Sequence, residues 1–378
     1  MNDKLIMTPG PTYIHEEVRQ ALAKEITNPD LDKNFYEFYK ETCESVKKIL
    51  KTENDVLILS GEGILGLEAA CASLVEPGEK VLCIDNGIFG HGFGDFLSLY
   101  DGNVTYFESD YKKSLDIEEL KTFLEKNHDF KVATLVHCET PSGITNPVGE
   151  ICKLLKTYGI ITVVDSVSAI AGEPLEVDAW AIDIVLGGSQ KCLSAPPGLT
   201  FLSVSQEAWD KMLNRKTPIR GYYCNLSNWK TWYEDKWFPY TQPISDLYGF
   251  RAAVERVLKK NDYIQRHKKM GEAVRKTLLE AGISLYPLNG YSNTVTTIEL
   301  PDNVTSTEIY DTMLNEHNIM IAGAFAYLKD KVIRIGHMGE NCYEEKVYLT
   351  LKALDKTFRK YNMKFNGELH KQFVSNYK

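Results

Sequence analysis

An acidic residue and a lysine each follow an apolar run that predicts a buried strand. Asp165 follows residues 161–164, and Lys191 lies shortly after residues 182–186. Ligands of parallel sheets bind at the carboxyl ends of the strands, so both side chains can reach one crevice. There a carboxylate can keep a pyridine nitrogen protonated, and a lysine can form a Schiff base and then move a proton. A helix-capping Asp and a solvated Lys are the simpler interpretations, but the Gly-Ser-Gln-Lys and Ala-Pro-Pro-Gly runs around Lys191 favour the joint chemical role.

A glycine motif offers a different chemistry. Gly61, Gly63 and Gly66 fit G-x-G-x-x-G, follow a predicted strand and open a predicted helix, and Asp85 ends the next strand. This context is typical of a dinucleotide site and predicts a NAD-dependent oxidoreductase. However, more than fifty residues precede the strand, and the motif does not explain the segments around Asp165 and Lys191. The oxidoreductase is therefore the remote alternative.

The elements around these residues alternate between short apolar runs and stretches of helical periodicity. This alternation predicts an α/β fold, a mostly parallel sheet sandwiched by helices, followed by a smaller α+β domain. We predict an N-terminal arm at residues 1–14, a large ring-binding domain at 15–250 and a small domain at 251–378. A single long helical stretch over residues 246–281 is expected to lead out of the large domain. The runs that predict its strands are 55–59, 80–84, 104–107, 132–137, 161–164, 182–186 and 199–204.

Composition and charge exclude several other classes of protein. The 378 residues carry a formal net charge of −9, with no extended block of Lys or Arg, which argues against a nucleic-acid partner. No stretch approaches the roughly 20 apolar residues of a membrane span, and the N-terminus lacks a secretory core. Eight cysteines are scattered without a C-x-x-C pair. We therefore expect a cytoplasmic protein with reduced thiols, small-molecule substrates, no membrane partner and no metal site.

The segment around Lys191 carries a specific family resemblance. Its run Ser-Gln-Lys-Cys-Leu-x-Ala-Pro-Pro-Gly, together with Thr-Pro-Gly-Pro at 8–11 and Arg-Ile-Gly-His-Met-Gly at 334–339, resembles the class V, fold type I aminotransferases. The likeness runs through nearly the whole chain and is closest to the alanine–glyoxylate and serine–pyruvate group. Within that group, residues 61–70, 90–94 and 140–143 look like the pyridoxamine–pyruvate branch. The resemblance implies a pyridoxal ring bound as a Schiff base on Lys191.

The resemblance also implies further site residues. Phe89 would stack on one face of the ring and Val167 would pack against the other, while Thr140 would hydrogen-bond the phenolic oxygen. Arg334 would grip the substrate carboxylate, which suits a planar bidentate donor. Thr241 corresponds to a residue that reaches the neighbouring subunit's site, which implies a homodimer with shared active sites. A related cysteine desulfurase would instead need a His where Phe89 stands.

Glu62 raises the question of whether the ring is phosphorylated. The resemblance implies that a cofactor phosphate would sit at the helix N-terminus near Gly61, Gly63 and Gln190, where relatives carry a small hydroxyl residue in place of Glu62. An ionised Glu about 4 Å from a phosphate dianion would cost roughly 8 kcal/mol at an effective dielectric of about 20. A helix end returns up to about 2 kcal/mol. A solvated first-turn carboxylate that complements the helix dipole is the alternative interpretation of Glu62.

The sequence predicts a transaminase that moves an amino group between pyridoxamine, or a small amino acid such as alanine, and a small 2-oxo acid such as pyruvate. The expected bound group is unphosphorylated pyridoxal or pyridoxamine, with Glu62 contacting substrate. The alternative is an enzyme that retains pyridoxal 5′-phosphate and acts as an alanine–glyoxylate or serine–pyruvate aminotransferase. One departure leaves the oxo-acid preference open: the pyridoxamine–pyruvate branch has a second arginine where this chain has Phe325. Tyr222, Tyr327 and Lys329 are the residues that would compensate.

Overall fold

The computed structural model describes residues 4–378. Its strands are β1 (Leu5–Ile6), β2 (Asp55–Ser60), β3 (Lys80–Asp85), β4 (Asn103–Glu108), β5 (Val132–Val136), β6 (Cys138–Glu139), β7 (Ile144–Thr145), β8 (Ile161–Asp165), β9 (Ile184–Gly188), β10 (Leu199–Val204), β11 (Thr296–Glu299), β12 (Ile319–Met320) and β13 (Val332–Ile335). Its α-helices are α1 (Glu16–Leu22), α2 (Lys33–Leu50), α3 (Gly63–Leu74), α4 (Ile88–Leu99), α5 (Ile117–Lys126), α6 (Val148–Thr157), α7 (Gln206–Leu213), α8 (Ile244–Lys260), α9 (Tyr263–Glu280), α10 (Ser306–His317), α11 (Glu344–Lys360) and α12 (Leu369–Tyr377).

A seven-stranded sheet forms the centre of the molecule, in the order β4-β3-β5-β8-β9-β10-β2. Strand β10 is antiparallel to both of its neighbours, and the other pairs are parallel. Strands β5, β9 and β10 are buried at every residue, because helices cover the sheet on both sides. The predicted α/β fold with a mostly parallel sheet is confirmed.

The helices pack on the sheet in two groups. Helices α3 and α4 contact each other and lie on β9, β10, β3 and β5, whereas α2, α6 and α8 pack on β2, β8 and β10. Several helices begin at a side chain that caps the first turn, such as Asp32 before α2 and Asp116 before α5. Within residues 4–378, no helix is both long enough and apolar enough to cross a membrane.

Buried apolar side chains form two large clusters. The first contains the central sheet and runs from Val18 to Val254, with Val295 and Met338 added; the second gathers α9 to α12, β11, β13 and Met7. These clusters support the predicted division into a large and a small domain, which stays a prediction. The predicted boundary at residue 250 falls inside α8, whose buried side chains belong to the first cluster.

One prediction about helices is corrected by the structure, and one helix was not predicted. The expected single helical stretch over 246–281 is two helices, because Asn261 adopts a left-handed conformation with φ of 48° and ends α8. The polar segment after Asn362 gave no prediction, yet it contains α12, whose Leu369 and Phe373 are buried in the second cluster. The burial of Leu369 and Phe373 depends on tertiary contacts that periodicity does not reveal.

Candidate active site

The sheet brings Asp165 and Lys191 to the same edge. Asp165 is the last residue of β8 and pairs in register with Leu186 of β9. Lys191 lies in the connection that leaves β9 after Gly188 and returns as the antiparallel β10. An antiparallel neighbour needs only a short connection, so this loop stays at the carboxyl edge of β9. Both side chains line one cleft, as the sequence predicted.

The cleft spans about 450 Å³ of space, part of which is open to solvent, and lies between the ends of the central strands and two helix N-termini. Phe89 and Val167 line it with the two charged groups, and Gly63 leaves room for Val167, because a Cβ at Gly63 would lie 2.8 Å from a Val167 methyl. The cleft is lined by Glu62, Gly63, Ile64, Leu67, Phe89, Cys138, Thr140, Asp165, Val167, Ser168, Gln190 and Lys191.

Lys191 is held by a backbone carbonyl. Its Nζ donates to the Pro9 oxygen at 2.7 Å. Burial lowers the pKa of Lys191 below its usual range, the charge of Arg334 lowers it further, and Asp165 opposes both. A lowered pKa places more of the lysine in the neutral amine form, which can bond to a carbonyl.

Asp165 is 7% exposed, and its carboxylate accepts a hydrogen bond from the Val167 amide at 2.8 Å. Burial raises the pKa of Asp165 to about 6, with the Glu62 charge adding to it and the Val167 amide and Lys191 opposing. A carboxylate in this setting needs a cationic partner, which a protonated ring nitrogen would supply.

Glu139 supports Phe89 and was not predicted as a site residue. Its buried carboxylate accepts hydrogen bonds from the amides of Phe89, at 3.2 Å, and Gly90, and therefore caps the N-terminus of α4. Gly87 leaves space for it, because a Cβ there would lie 2.5 Å from the Glu139 carboxyl carbon. Burial raises the pKa of Glu139 to about 8. A Glu nine residues before α6 gave no sequence signal for this role.

Glu62 occupies the N-terminus of α3. It is the N-cap residue, and its side chain accepts a hydrogen bond from the Ile64 amide at 3.1 Å. The other carboxylate oxygen accepts a hydrogen bond from Gln190 Nε2 at 3.2 Å. The carboxylate thus lies at the helix end and points to the residue beside Lys191.

Thr140 and Arg334 meet at the backbone of Thr140. Thr140 Oγ1 donates to Ser168 Oγ at 2.5 Å, and an Arg334 amino group donates to the Thr140 carbonyl at 3.5 Å. The Arg334 Nε donates to Gly323 at 2.7 Å, and burial lowers the pKa of Arg334 to about 10. Ser168 lies one residue past Val167 and was not predicted.

Several predicted or discussed residues do not line the cleft, among them Gly61, Thr241, Phe325 and Arg334. Thr241 is exposed and does not line the cleft of its own chain. Phe325 is 46% exposed, and its ring packs edge-on against Phe89 with centroids 6.0 Å apart. Phe325 therefore brings an apolar side chain, not a charge, next to the residue predicted to stack on the ring.

The glycine motif has a packing explanation. A Cβ at Gly66 would lie 2.7 Å from Thr200 Oγ1 of β10, and a Cβ at Gly61, with φ of 155°, would lie 2.6 Å from a Leu65 methyl. Gly66 therefore lets α3 lie close to the sheet, whereas Gly61 leaves space for Leu65 of α3 itself. The same close packing is one of the roles that glycines have in dinucleotide sites, so the motif alone does not discriminate.

Comparison with known proteins identifies the family. The family model "Aminotransferase class-V" matches residues 8–328. An uncharacterised aminotransferase of Methanocaldococcus jannaschii is 34% identical over 356 residues, which cover 93% of this chain and 92% of the relative. The pyridoxamine–pyruvate transaminase of Mesorhizobium japonicum is 30% identical over 355 residues, covering 93% and 90%.

A solved structure agrees with this result. The crystal structure of the ureidoglycine–glyoxylate aminotransferase of Bacillus subtilis superposes with a TM-score of 0.95 at 28% identity, covering 100% of this chain and 98% of that one. The fold is therefore that of the fold type I aminotransferases, a class for which the family implies dependence on a pyridoxal cofactor. The chain belongs to the class V aminotransferase family and is an aminotransferase, and the oxidoreductase alternative receives no support.

The residues present fit a pyridoxal-type ring, on which the family implies dependence. The buried Asp165 carboxylate, the amine of Lys191 and the Phe89 side chain all line one cleft. The fit to a phosphate is poorer, because the helix end that would bind this anion already carries the Glu62 carboxylate.

Proposed function

We propose that this aminotransferase moves an amino group between unphosphorylated pyridoxamine, or a small amino acid such as alanine, and a small 2-oxo acid such as pyruvate. The observation that carries the proposal is the Glu62 carboxylate, which accepts the Ile64 amide at the start of α3. It replaces an external anion there, and its charge would repel a phosphate dianion. A relative named pyridoxamine–pyruvate transaminase, 30% identical, supports the same substrate pair.

Lys191 and Asp165 are assigned the central roles. When bound, the protonated ring draws electrons from the α-carbon of the attached substrate. Asp165 keeps the ring nitrogen protonated, because a carboxylate stabilises a neighbouring cation most strongly where water is excluded. Lys191 would hold the ring through its Nζ, and its amine would move a proton to or from the substrate α-carbon.

Phe89, Val167 and Thr140 are assigned to hold the ring. The Phe89 side chain would pack on its face, with Glu139 fixing the start of α4 beneath it through two amide hydrogen bonds. Val167 would pack on the other face, and Thr140 would bind the phenolic oxygen, with Ser168 orienting its hydroxyl. Gly61, Gly63, Glu62 and Gln190 would surround the substituent that carries a phosphate in other pyridoxal enzymes.

Arg334 is assigned to the substrate carboxylate. Its Nε and one amino group bond backbone carbonyls of Gly323 and Thr140, which fixes the guanidinium plane without neutralising its charge. A fixed positive charge and the paired N–H donors of a planar guanidinium suit the binding of a carboxylate. Phe325 against Phe89 offers an apolar surface for the substrate side chain, which favours small apolar oxo acids such as pyruvate.

Assembly and location complete the proposal. We assign a homodimer in which the exposed Thr241 reaches the partner's site, and a cytoplasmic location that fits the eight free cysteines. The alternative function, retention of pyridoxal 5′-phosphate for alanine–glyoxylate or serine–pyruvate transamination, requires the Glu62 side chain to leave its position as the cap of α3.

The deciding experiment is a visible-absorbance titration of ligand-stripped protein with pyridoxal and, separately, with pyridoxal 5′-phosphate, each trapped by borohydride and located by peptide mass spectrometry. We expect tight attachment of pyridoxal at Lys191, weak attachment of the phosphate, and turnover of pyridoxamine with pyruvate to pyridoxal and alanine. Tighter attachment of the phosphate would favour the alternative. If neither aldehyde becomes attached, both the proposed function and the alternative are wrong.

A further inference from the structure

The N-terminal segment of residues 7–11, here called the strap, crosses directly over Lys191. Its Pro9 carbonyl accepts the Lys191 Nζ at 2.7 Å. Gly10, with φ of 90°, lies so close that a Cβ there would be 2.7 Å from Lys191 Cε and 2.8 Å from Nζ. The lysine side chain therefore runs through space that any other residue at position 10 would fill.

The strap is fastened at both ends to elements that carry site residues. On one side Met7 donates to Met320 of β12 at 2.8 Å and accepts from Gly336 at 2.7 Å, two residues past Arg334. On the other side Thr12 donates its amide to the Gln190 carbonyl at 3.2 Å and its hydroxyl to the Lys191 carbonyl at 3.1 Å.

The contacts leave little freedom between these fastenings. A Cβ at Gly336 would overlap the Thr8 carbonyl and the Pro9 nitrogen, so the strap lies directly against the end of β13. Asn341 adds a hydrogen bond to the Thr8 carbonyl at 3.3 Å. A shift of β13 would therefore be transmitted to the Pro9 carbonyl, because packed backbones cannot deform independently.

We propose that the strap is a positioning element for Lys191: the Pro9 carbonyl holds the amine whenever no ring is attached, and Gly10 keeps the path of the side chain clear. The proposal rests on Lys191 as the ring-bonding amine of the proposed function. The strap has the geometry for it because its oxygen bonds Nζ itself, whereas Asp165 and Arg334 act on the amine only through their charges.

Holding the amine has a chemical consequence. A carbonyl acceptor stabilises an ammonium group more than a neutral amine, so the contact with Pro9 raises the pKa of Lys191. It opposes burial and the Arg334 charge, which lower the pKa of Lys191; Asp165, Cys138 and Cys192 also face this amine. Loss of the strap contact should therefore shift titration of Lys191 to lower pH and misplace the amine.

The test compares two glycines that have similar backbone angles and different surroundings. Gly10→Ala introduces a methyl group against Lys191, whereas Gly78→Ala, at φ of 80°, meets nothing within 4 Å. Both substitutions place a Cβ at a positive φ, so Gly78→Ala is the control for that part of the strain. If Gly10→Ala does not fold, Thr12→Val, which removes the hydroxyl that bonds the Lys191 carbonyl, replaces it.

Two measurements are made on ligand-stripped protein. Trace acetylation with acetic anhydride across pH, read by peptide mass spectrometry, gives the titration midpoint of Lys191 independently of any ring. Binding of pyridoxine, which has no aldehyde, is compared with the rate of borohydride-trapped attachment of pyridoxal or its phosphate, whichever the wild type prefers. Because acetylation needs no ring, failure of the proposed function would leave this result readable.

For Gly10→Ala we expect a Lys191 midpoint at least half a pH unit lower, attachment slowed about 10- to 100-fold and pyridoxine affinity within about twofold of the wild type. Thr12→Val should lower the Lys191 midpoint and the attachment rate as well, but by smaller amounts. An unchanged midpoint in Gly10→Ala, or an equal shift in Gly78→Ala, would overturn the proposal.

Discussion

The Glu62 carboxylate accepts a hydrogen bond from the Ile64 amide at 3.1 Å, so helix α3 begins with an anion supplied by the chain itself. A helix N-terminus attracts one negative group, and a second one beside it is repelled. The same carboxylate is held by Gln190 Nε2 at 3.2 Å, next to Lys191. Gln190 thus links the carboxylate that we propose selects the ring to the adjacent lysine that we propose bonds it.

Removing the charge at Glu62 should change which ring binds. In Glu62→Ser, we expect the ratio of pyridoxal 5′-phosphate affinity to pyridoxal affinity to rise at least about 100-fold, which remains well below the Coulomb limit of roughly 8 kcal/mol. Glu62→Gln is the control that keeps a side-chain oxygen for Ile64 but loses the charge, and it should give part of the change. Unaltered ratios in both variants would show that Glu62 does not select against phosphate.

Lys191→Ala should abolish covalent attachment of the ring. Because Lys191 is assigned both the bond to the ring and the proton transfer, transamination should fall by at least about 10³-fold, within the range of acid–base catalysis. Attachment is measured by borohydride trapping and mass spectrometry. Lys331→Ala, at an exposed lysine, is the control. A Lys191→Ala protein with wild-type turnover would contradict the proposed function in both its versions.

We expect protonation of Asp165 to reduce the activity at acidic pH. Burial raises the pKa of Asp165 to about 6, so below this pH the free enzyme holds a neutral carboxyl group that cannot stabilise a ring cation. We expect kcat/KM for pyridoxamine to fall as the pH drops through about 6, since this parameter reports the free enzyme. Asp165→Asn should lose about 10²-fold or more above pH 7. The fall of kcat/KM at acidic pH should also be absent from Asp165→Asn. If this fall persists in the variant, it is caused by another group.

Arg334→Lys should weaken oxo-acid binding while preserving ring binding. The lysine keeps a positive charge but loses the planar fork and the bonds to Gly323 and Thr140. We expect KM for pyruvate to rise about 30- to 1,000-fold, equivalent to roughly 2–4 kcal/mol for a truncated charged hydrogen bond. The affinity for pyridoxal, titrated separately, should change less than about threefold. A loss of affinity for pyridoxal with an unchanged KM for pyruvate would indicate that Arg334 contacts the ring instead.

We expect ionisation of Glu139 to lower the stability of the protein at alkaline pH. Burial raises the pKa of Glu139 from 4.5 to about 8, so its stabilising effect is complete below the unfolded pKa and is lost as the pH rises through the folded one. Between pH 6 and 9 the free energy of unfolding should fall by up to about 3 kcal/mol from this group, at 1.36 kcal/mol per pKa unit. Urea unfolding at both pH values measures it, with Glu139→Gln expected to reduce the fall. An equal fall in the free energy of unfolding of Glu139→Gln would show that another group causes the pH dependence.

The sequence by itself determined the fold class and the central chemical pair. Buried parallel strands require continuous Val, Ile and Leu runs, so β5, β8 and β9 were visible as apolar runs, and a carboxylate or lysine at their ends was conspicuous. The specific run around Lys191 and the family resemblance then predicted which residues would bind the ring. The matched family model confirmed the family.

Tertiary structure alone decided how those residues are supported. The strap reaches Lys191 from 182 residues away in sequence, and Glu139 reaches the α4 amides from 49 and 50 residues away. No local pattern encodes such contacts, because a backbone carbonyl has no residue type and a buried Glu has the same letter as a solvated one. The direction of the Glu62 carboxylate, toward Ile64 and Gln190, was likewise set by the packing of α3 against the loop that carries Lys191.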